Sequence, residues 1–234
     1  MSKITKTLVT MGLALGGVAG LTAGPALAQE VELSANTAFV SDYRFRGVSL
    51  SDEDVAIQGG LDAAYQGFYV GSWASSIDSF NGSEAEVDLY GGWSGALGDS
   101  GVNLDLGALA YVYPGGTGTD YYEFYGSVGG TVQMVDWTLG AAYNPDQDNI
   151  GDDDNIYIYG DLGFAIPDTP LSLGGHLGYE DGAFSRPNGS AKWDWSLSLG
   201  VDVRQFTVSV AYVDTNMAGD ASDATAVVSV GAAF

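Results

Sequence analysis

The chain has 234 residues, with 30 acidic side chains against seven basic ones, a single histidine and no cysteine. A net charge of −23 with so few Lys and Arg excludes a nucleic-acid partner, whose phosphates need clustered cations. The lack of cysteine excludes disulfides, thiol nucleophiles and cysteine-held metals, while 46% apolar residues and 14 Tyr are too many for a disordered acidic tail.

Residues 1–28 carry Lys3 and Lys6, then an apolar stretch from Leu8 to Leu21, then Ala26-Leu27-Ala28. A positive start, a short apolar middle and a small-residue cleavage box predict a signal peptide that is removed. The remaining domain, 29–234, keeps all 30 acids and five basic residues. No later stretch approaches the ~18 consecutive apolar residues of a membrane helix. Two classes therefore remain: a soluble exported β protein, or a barrel in a bacterial outer membrane.

Alternation of apolar and polar residues runs along the whole mature chain, and no helical period appears. It predicts twelve strands: 30–46, 56–65, 68–76, 84–97, 102–113, 120–132, 135–144, 155–166, 171–180, 193–203, 206–214 and 224–234. An even count suits a closed antiparallel up-and-down transmembrane β-barrel, with both termini in the periplasm. The connections after every second strand are tight, at Gln66-Gly67, Gly98 to Gly101, Gln133-Met134, Pro167 to Pro170 and Arg204-Gln205. The others are mostly longer and polar: Gly47 to Val55, Ile77 to Ser83, Pro145 to Asp154 and Asp181 to Lys192. Two-residue turns oppose their flanking residues, pairing Tyr65 with Phe68, Val132 with Val135 and Val203 with Phe206. Only the first of these turns has glycine, so the other two lack the expected turn chemistry.

The two parities differ in a way that favours a membrane over a second sheet. The apolar parity is almost free of charge and carries Trp93, Tyr122, Trp137, Tyr143, Tyr179, Trp193, Trp195, Phe206 and Tyr212 close to strand ends, as interfacial girdles do. A last strand with Ala224, Ala226, Val228, Val230, Ala232 and terminal Phe234 on one parity resembles the signal read by the barrel-assembly machinery. Outer-membrane lipid and lipopolysaccharide are the other expected partners.

Residues 41–49, Ser-Asp-Tyr-Arg-Phe-Arg-Gly-Val-Ser, together with Gln58-Gly59-Gly60-Leu61-Asp62, Gly71-Ser72-Trp73-Ala74-Ser75 and 86–93, resemble the TorF-type porin family of proteobacteria. The resemblance spans the mature chain and implies an outer-membrane barrel with passive transport of small solutes.

The polar parity supplies the pore-lining candidates Asp42, Arg44, Arg46, Asp62, Glu84, Glu86, Asp88, Asp105, Glu123, Asp161 and Asp202, with Asp136, His176, Glu180, Asp194 and Arg204 beside them. Many carboxylates against three arginines predict a negative lumen and a weak preference for cations. Arg44 and Arg46, two residues apart near the mouth of strand 1, have two readings. They form a positive ladder facing acids across a constriction, or structural ion pairs closing the lumen beside Asp42 or Asp62. The acidic loop from Asn144 to Asn155 fails as a calcium loop, since aligned on Asp146 it offers Ile150 and Tyr157 at ligand positions. With one imidazole and no nucleophile elbow, neither an enzyme nor a cofactor is expected. The alternative to a porin is a closed barrel acting through its outer loops as an adhesin or envelope stabiliser.

Overall fold

A computed structural model describes residues 31–185 and 189–234; the expected signal peptide, 1–28, lies outside the described residues. Twelve of its fourteen strands close into one antiparallel barrel. The barrel strands are β1 (Glu32–Val40), β4 (Ala56–Tyr65), β5 (Phe68–Phe80), β6 (Ser83–Ala96), β7 (Val102–Val112), β8 (Tyr121–Val132), β9 (Val135–Gln147), β10 (Asp153–Ala165), β11 (Leu171–Gly182), β12 (Lys192–Val203), β13 (Phe206–Thr215) and β14 (Thr225–Ala233). Neighbours in sequence are neighbours in the sheet, and β1 closes the ring by pairing with β14. The other two strands, β2 (Arg44–Phe45) and β3 (Val48–Ser49), pair only with each other.

Period-two alternation explains the two faces. Large apolar side chains at Leu33, Ile57, Leu61, Val70, Leu89, Leu106, Leu139, Leu162, Leu197 and Val230 stand exposed on the outside. Such a continuous apolar wall is what lipid, not water, covers. The buried residues, in contrast, lie inside the cylinder. Val40, Tyr43, Ala56, Ala211, Val213 and Val227 form one inner cluster. Tyr69, Tyr90, Leu109, Tyr111 and Tyr113 form another.

One end carries the tight turns. Tyr65 pairs with Phe68, Val132 with Val135 and Val203 with Phe206, as expected. Gln66 and Gly67 both have positive φ, the type I′ geometry that follows the sheet's twist. Gln133 and Arg204 adopt φ near +60° without being glycine. Both glycine-free turns are braced one pair inward: Thr131 donates to Asp136 at 2.6 Å and Thr207 to Asp202 at 2.8 Å.

The opposite end carries the longer connections, and three expectations change there. Strand 1 does not run to residue 46. It ends at Val40, and the chain turns inward as the β2–β3 hairpin. The connection expected at 77–83 is not a loop, because β5 and β6 continue past an irregularity between Ser76 and Phe80 to a tight Asn81-Gly82 turn. The loop expected at 145–154 shortens likewise, since β9 runs to Gln147 and β10 starts at Asp153.

Candidate functional site

The segment 41–55 folds into the barrel, its hairpin tip resting on β12 and β13 while the Arg46 side chain reaches β8 and β11. Phe45 pairs with Val48 across the two-residue turn Arg46-Gly47, whose φ angles are +48° and +85°, so this is another type I′ turn. The glycine lets the backbone press on the wall. A Cβ at Gly47 would lie 2.9 Å from Cβ of both Asp194 and Thr215, on β12 and β13.

The base of the hairpin is tied by Arg44, which is 1% exposed. Its Nε donates to Asp42 at 2.5 Å, and Nη2 donates to Glu53 at 3.1 Å. Nη1 donates to the carbonyls of Gly47 (3.2 Å), Ala221 (3.2 Å) and Asp223 (2.9 Å), joining the hairpin to the last loop. Asp42 also accepts from Ser49 at 2.6 Å. Tyr43 donates to Glu86 of β6 at 2.6 Å, and Tyr113 donates to the other oxygen of that carboxylate at 2.6 Å. Burial first, then the Glu86 and Asp88 charges, push the Tyr43 hydroxyl well above its usual range, so it stays a donor.

The tip of the hairpin is Arg46, 2% exposed. Nη1 donates to Glu180 of β11 at 2.5 Å and Nη2 to Glu123 of β8 at 2.8 Å. Its guanidinium carbon lies 4.2 Å from the centroid of the Tyr157 ring and 4.7 Å from that of Phe45. Burial works against this charge, but Glu123 and Glu180 outweigh it and hold Arg46 cationic. Behind the two carboxylates, Tyr111 donates to Glu123 at 3.0 Å, Asn155 donates to Glu180 at 3.0 Å, and Lys192 pairs with Glu180. The expectation of a strand-borne arginine ladder is corrected: Arg44 and Arg46 stand on an inserted hairpin. The structural ion-pair reading holds for Arg44 with Asp42, whereas Asp62 accepts from Tyr90 at 2.5 Å.

The remaining candidates lie at different heights of the barrel and differ in burial. Glu86, Asp88 and Glu123 are buried around the hairpin. Asp62, Asp105 and Asp161 are partly exposed toward the turn end, Asp105 accepting from Tyr69 at 2.7 Å. Glu84 is exposed near the loop end, and Asp136, Asp202 and Arg204 lie at or beside the tight turns. The turn-end half is lined in part by short polar residues such as Ser34, Ser127 and Ser196, whereas Gly71 is covered by the Tyr90 ring. Tyrosine rings here lie flat over glycines of the adjacent strand: Tyr125 covers Gly107 and Tyr159 covers Gly140. Among the described residues, both carboxylate oxygens of Asp88 lack a hydrogen-bond partner, as do Asp194 Oδ2, Asn144 Oδ1 and Arg46 Nε.

His176 adjoins the hairpin site through Tyr157 and Asp194. Nδ1 lies 2.6 Å from Asp161, and Nε2 lies 2.8 Å from the Tyr157 hydroxyl and 3.1 Å from Asp194. Ser196 sits opposite His176 in the register, but Nε2 is engaged by Tyr157 and Asp194. The arrangement suits a polar strut better than a nucleophile's base.

Sequence reasoning missed the insertion of 41–55 and the contacts of Arg46 that follow from it. The available signal was Arg46-Gly47 between Phe45 and Val48, an X-Gly pair flanked by alternating residues.

A family model described as a bacterial protein of unknown function (Gcw_chp) matches residues 23–234. No curated protein matches the chain. Among solved structures the KdgM porin is similar at 10% identity, with a TM-score of 0.59, covering 86% of this chain and 98% of that one. Another porin gives a TM-score of 0.42 at 10% identity over 88% of this chain and 100% of that one. OpdK of Pseudomonas aeruginosa gives 0.42 at 12% identity, over 77% of this chain and 57% of its own length. The likeness to the KdgM porin is one of fold: a closed barrel of the outer-membrane porin type.

Proposed function

The chain belongs to the bacterial Gcw_chp family, and we propose that this member is an outer-membrane channel for small polar solutes, narrowed by the inserted segment 41–55. The resemblance of residues 41–49 to the TorF-type porins supports the same assignment. One observation carries the reading: the turn-end half of the lumen is lined by short serines and by the partly exposed carboxylates Asp62, Asp105 and Asp161, a polar lining that suits small hydrated solutes. The loop end faces outward and the turn end faces the periplasm, after export by the signal peptide at 1–28. Assembly uses the last strand ending in Phe234, and lipid and lipopolysaccharide surround the apolar wall. No catalytic role is proposed.

The lumen carboxylates give a negative potential that low-dielectric walls focus, so small cations are favoured over anions. The second reading is a closed barrel acting through its outer loops. The fastening of the hairpin by Arg44 and Arg46 favours it. Swelling of protein-loaded liposomes in small sugars and amino acids separates the two: uptake supports the channel, and vesicles as tight as protein-free controls support the closed barrel. A reversal potential in a salt gradient tests selectivity, and anion preference would defeat that part of the reading.

A further inference from the structure

Arg46 occupies a turn position that its own chemistry disfavours. A type I′ turn asks for φ > 0 at both central residues, which Asn-Gly or Asp-Gly provides at little strain. Here a long cationic residue takes φ +48° instead. Gln66, Gln133 and Arg204 take a similar φ at the tight turns, so what singles out Arg46 is where its side chain goes. The guanidinium it carries is seated in a receptor supplied by the barrel wall, with Glu123 and Glu180 on its two Nη atoms and the Tyr157 ring under its face. Its Nε finds no partner among the described residues, so the tethered group does not use the full hydrogen-bonding capacity of a guanidinium. Asp194, which borders the tip at Gly47, keeps a buried unpartnered oxygen.

We propose that the wall cage of Glu123, Glu180 and Tyr157 is the channel's recognition site for guanidinium-bearing solutes, and that Arg46 fills it as a built-in competitor. This rests on the channel reading. Two carboxylates that each accept from a separate nitrogen, with an aromatic face beneath, match a planar fork better than a point-charge ammonium. A solute bearing this group takes the place of Arg46 and frees its side chain from β8 and β11. The tethered arginine is present at high effective concentration, so a free solute must compete against it.

Arg46→Asn empties the cage while giving the turn its preferred Asn-Gly sequence, so the hairpin is preserved. The full chain is studied in planar bilayers with methylguanidinium as the probe and ethylammonium as the comparison. Methylguanidinium at millimolar concentration should reduce the R46N current at least about threefold, and half-maximal effect should need roughly tenfold more ethylammonium. The wild type should respond only at roughly tenfold higher methylguanidinium, because Arg46 competes. Adding Glu123→Gln and Glu180→Gln to R46N should abolish the effect. An R46N current indifferent to methylguanidinium, equally reduced by both cations, or still reduced once the carboxylates are neutralised would overturn the proposal. If no variant conducts, the channel reading fails while the cage is still tested by thermal unfolding in detergent. Methylguanidinium should then raise the transition of R46N and leave that of the triple variant in place, and no difference between them would reject the cage. If R46N does not assemble alone, refolding with methylguanidinium against an equal concentration of sodium decides: rescue by the guanidinium alone supports the site, and equal failure rejects it.

Discussion

A glycine, an arginine and an aspartate set the properties of the constriction. Gly47 is needed twice over, for its φ of +85° and for the approach that leaves 2.9 Å between a would-be Cβ and those of Asp194 and Thr215. Gly47→Ala should therefore lift the hairpin tip from the wall, raising single-channel conductance severalfold and costing about 1–3 kcal/mol of stability through backbone strain. Arg44 spreads its three nitrogens over a carboxylate pair and three carbonyls, a pattern that an ammonium cannot copy. Arg44→Lys is expected to lower the urea midpoint in micelles, with a loss of about 2–3 kcal/mol for buried acceptors left without a donor. Asp88 is the reverse case, a buried carboxylate with neither oxygen partnered among the described residues. Replacing it by asparagine, which keeps the shape and removes the charge, should stabilise the barrel by about 1–3 kcal/mol in the same assay while weakening the proposed cation preference.

At the scale of elements, the wall was legible in the sequence and the insertion was not. Alternation places Leu61 outside and Asp62 inside because successive side chains on a strand point to opposite faces. The same alternation continues through Tyr43, Arg44, Phe45 and Arg46, since the inner hairpin is also β structure, so the period cannot tell wall from plug. The Asn81-Gly82 turn was hidden for a related reason: the irregularity between Ser76 and Phe80 breaks the period just before it. Candidate residues on β6 and β8 could be placed on the inner face, but the pairing of Glu123 with Arg46 joins positions 77 apart and depends on how the hairpin enters. The glycine-free turns answer the doubt their sequences raise, because Thr131–Asp136 and Thr207–Asp202 supply bracing that glycine would otherwise make less necessary. Thr207→Val should cost about 0.5–1 kcal/mol, read from the unfolding midpoint, whereas a change at the exposed end of a loop should cost less.

For the molecule as a whole, closure in twelve strands follows from an even set of alternating segments joined in sequence order, which is why the architecture could be read before the lumen could. Its charge is distributed less evenly than its strands. Arg44, Arg46 and Lys192 are buried in ion pairs, leaving the acidic loop end with little to offset Glu84, Asp148 and Asp153. The proposed cation preference should accordingly fall as ionic strength rises from 0.01 to 1 M, where the screening length shrinks from about 30 to about 3 Å. A reversal potential measured across that series gives the slope. The ring is also not equally joined all the way round: β1 and β14 share five paired positions, Asn36 to Val40, against eleven between β10 and β11. Pulled from its final residue by a cantilever, the cylinder should begin to unzip at that short join, giving its lowest rupture force there before the longer ladders yield one hairpin after another.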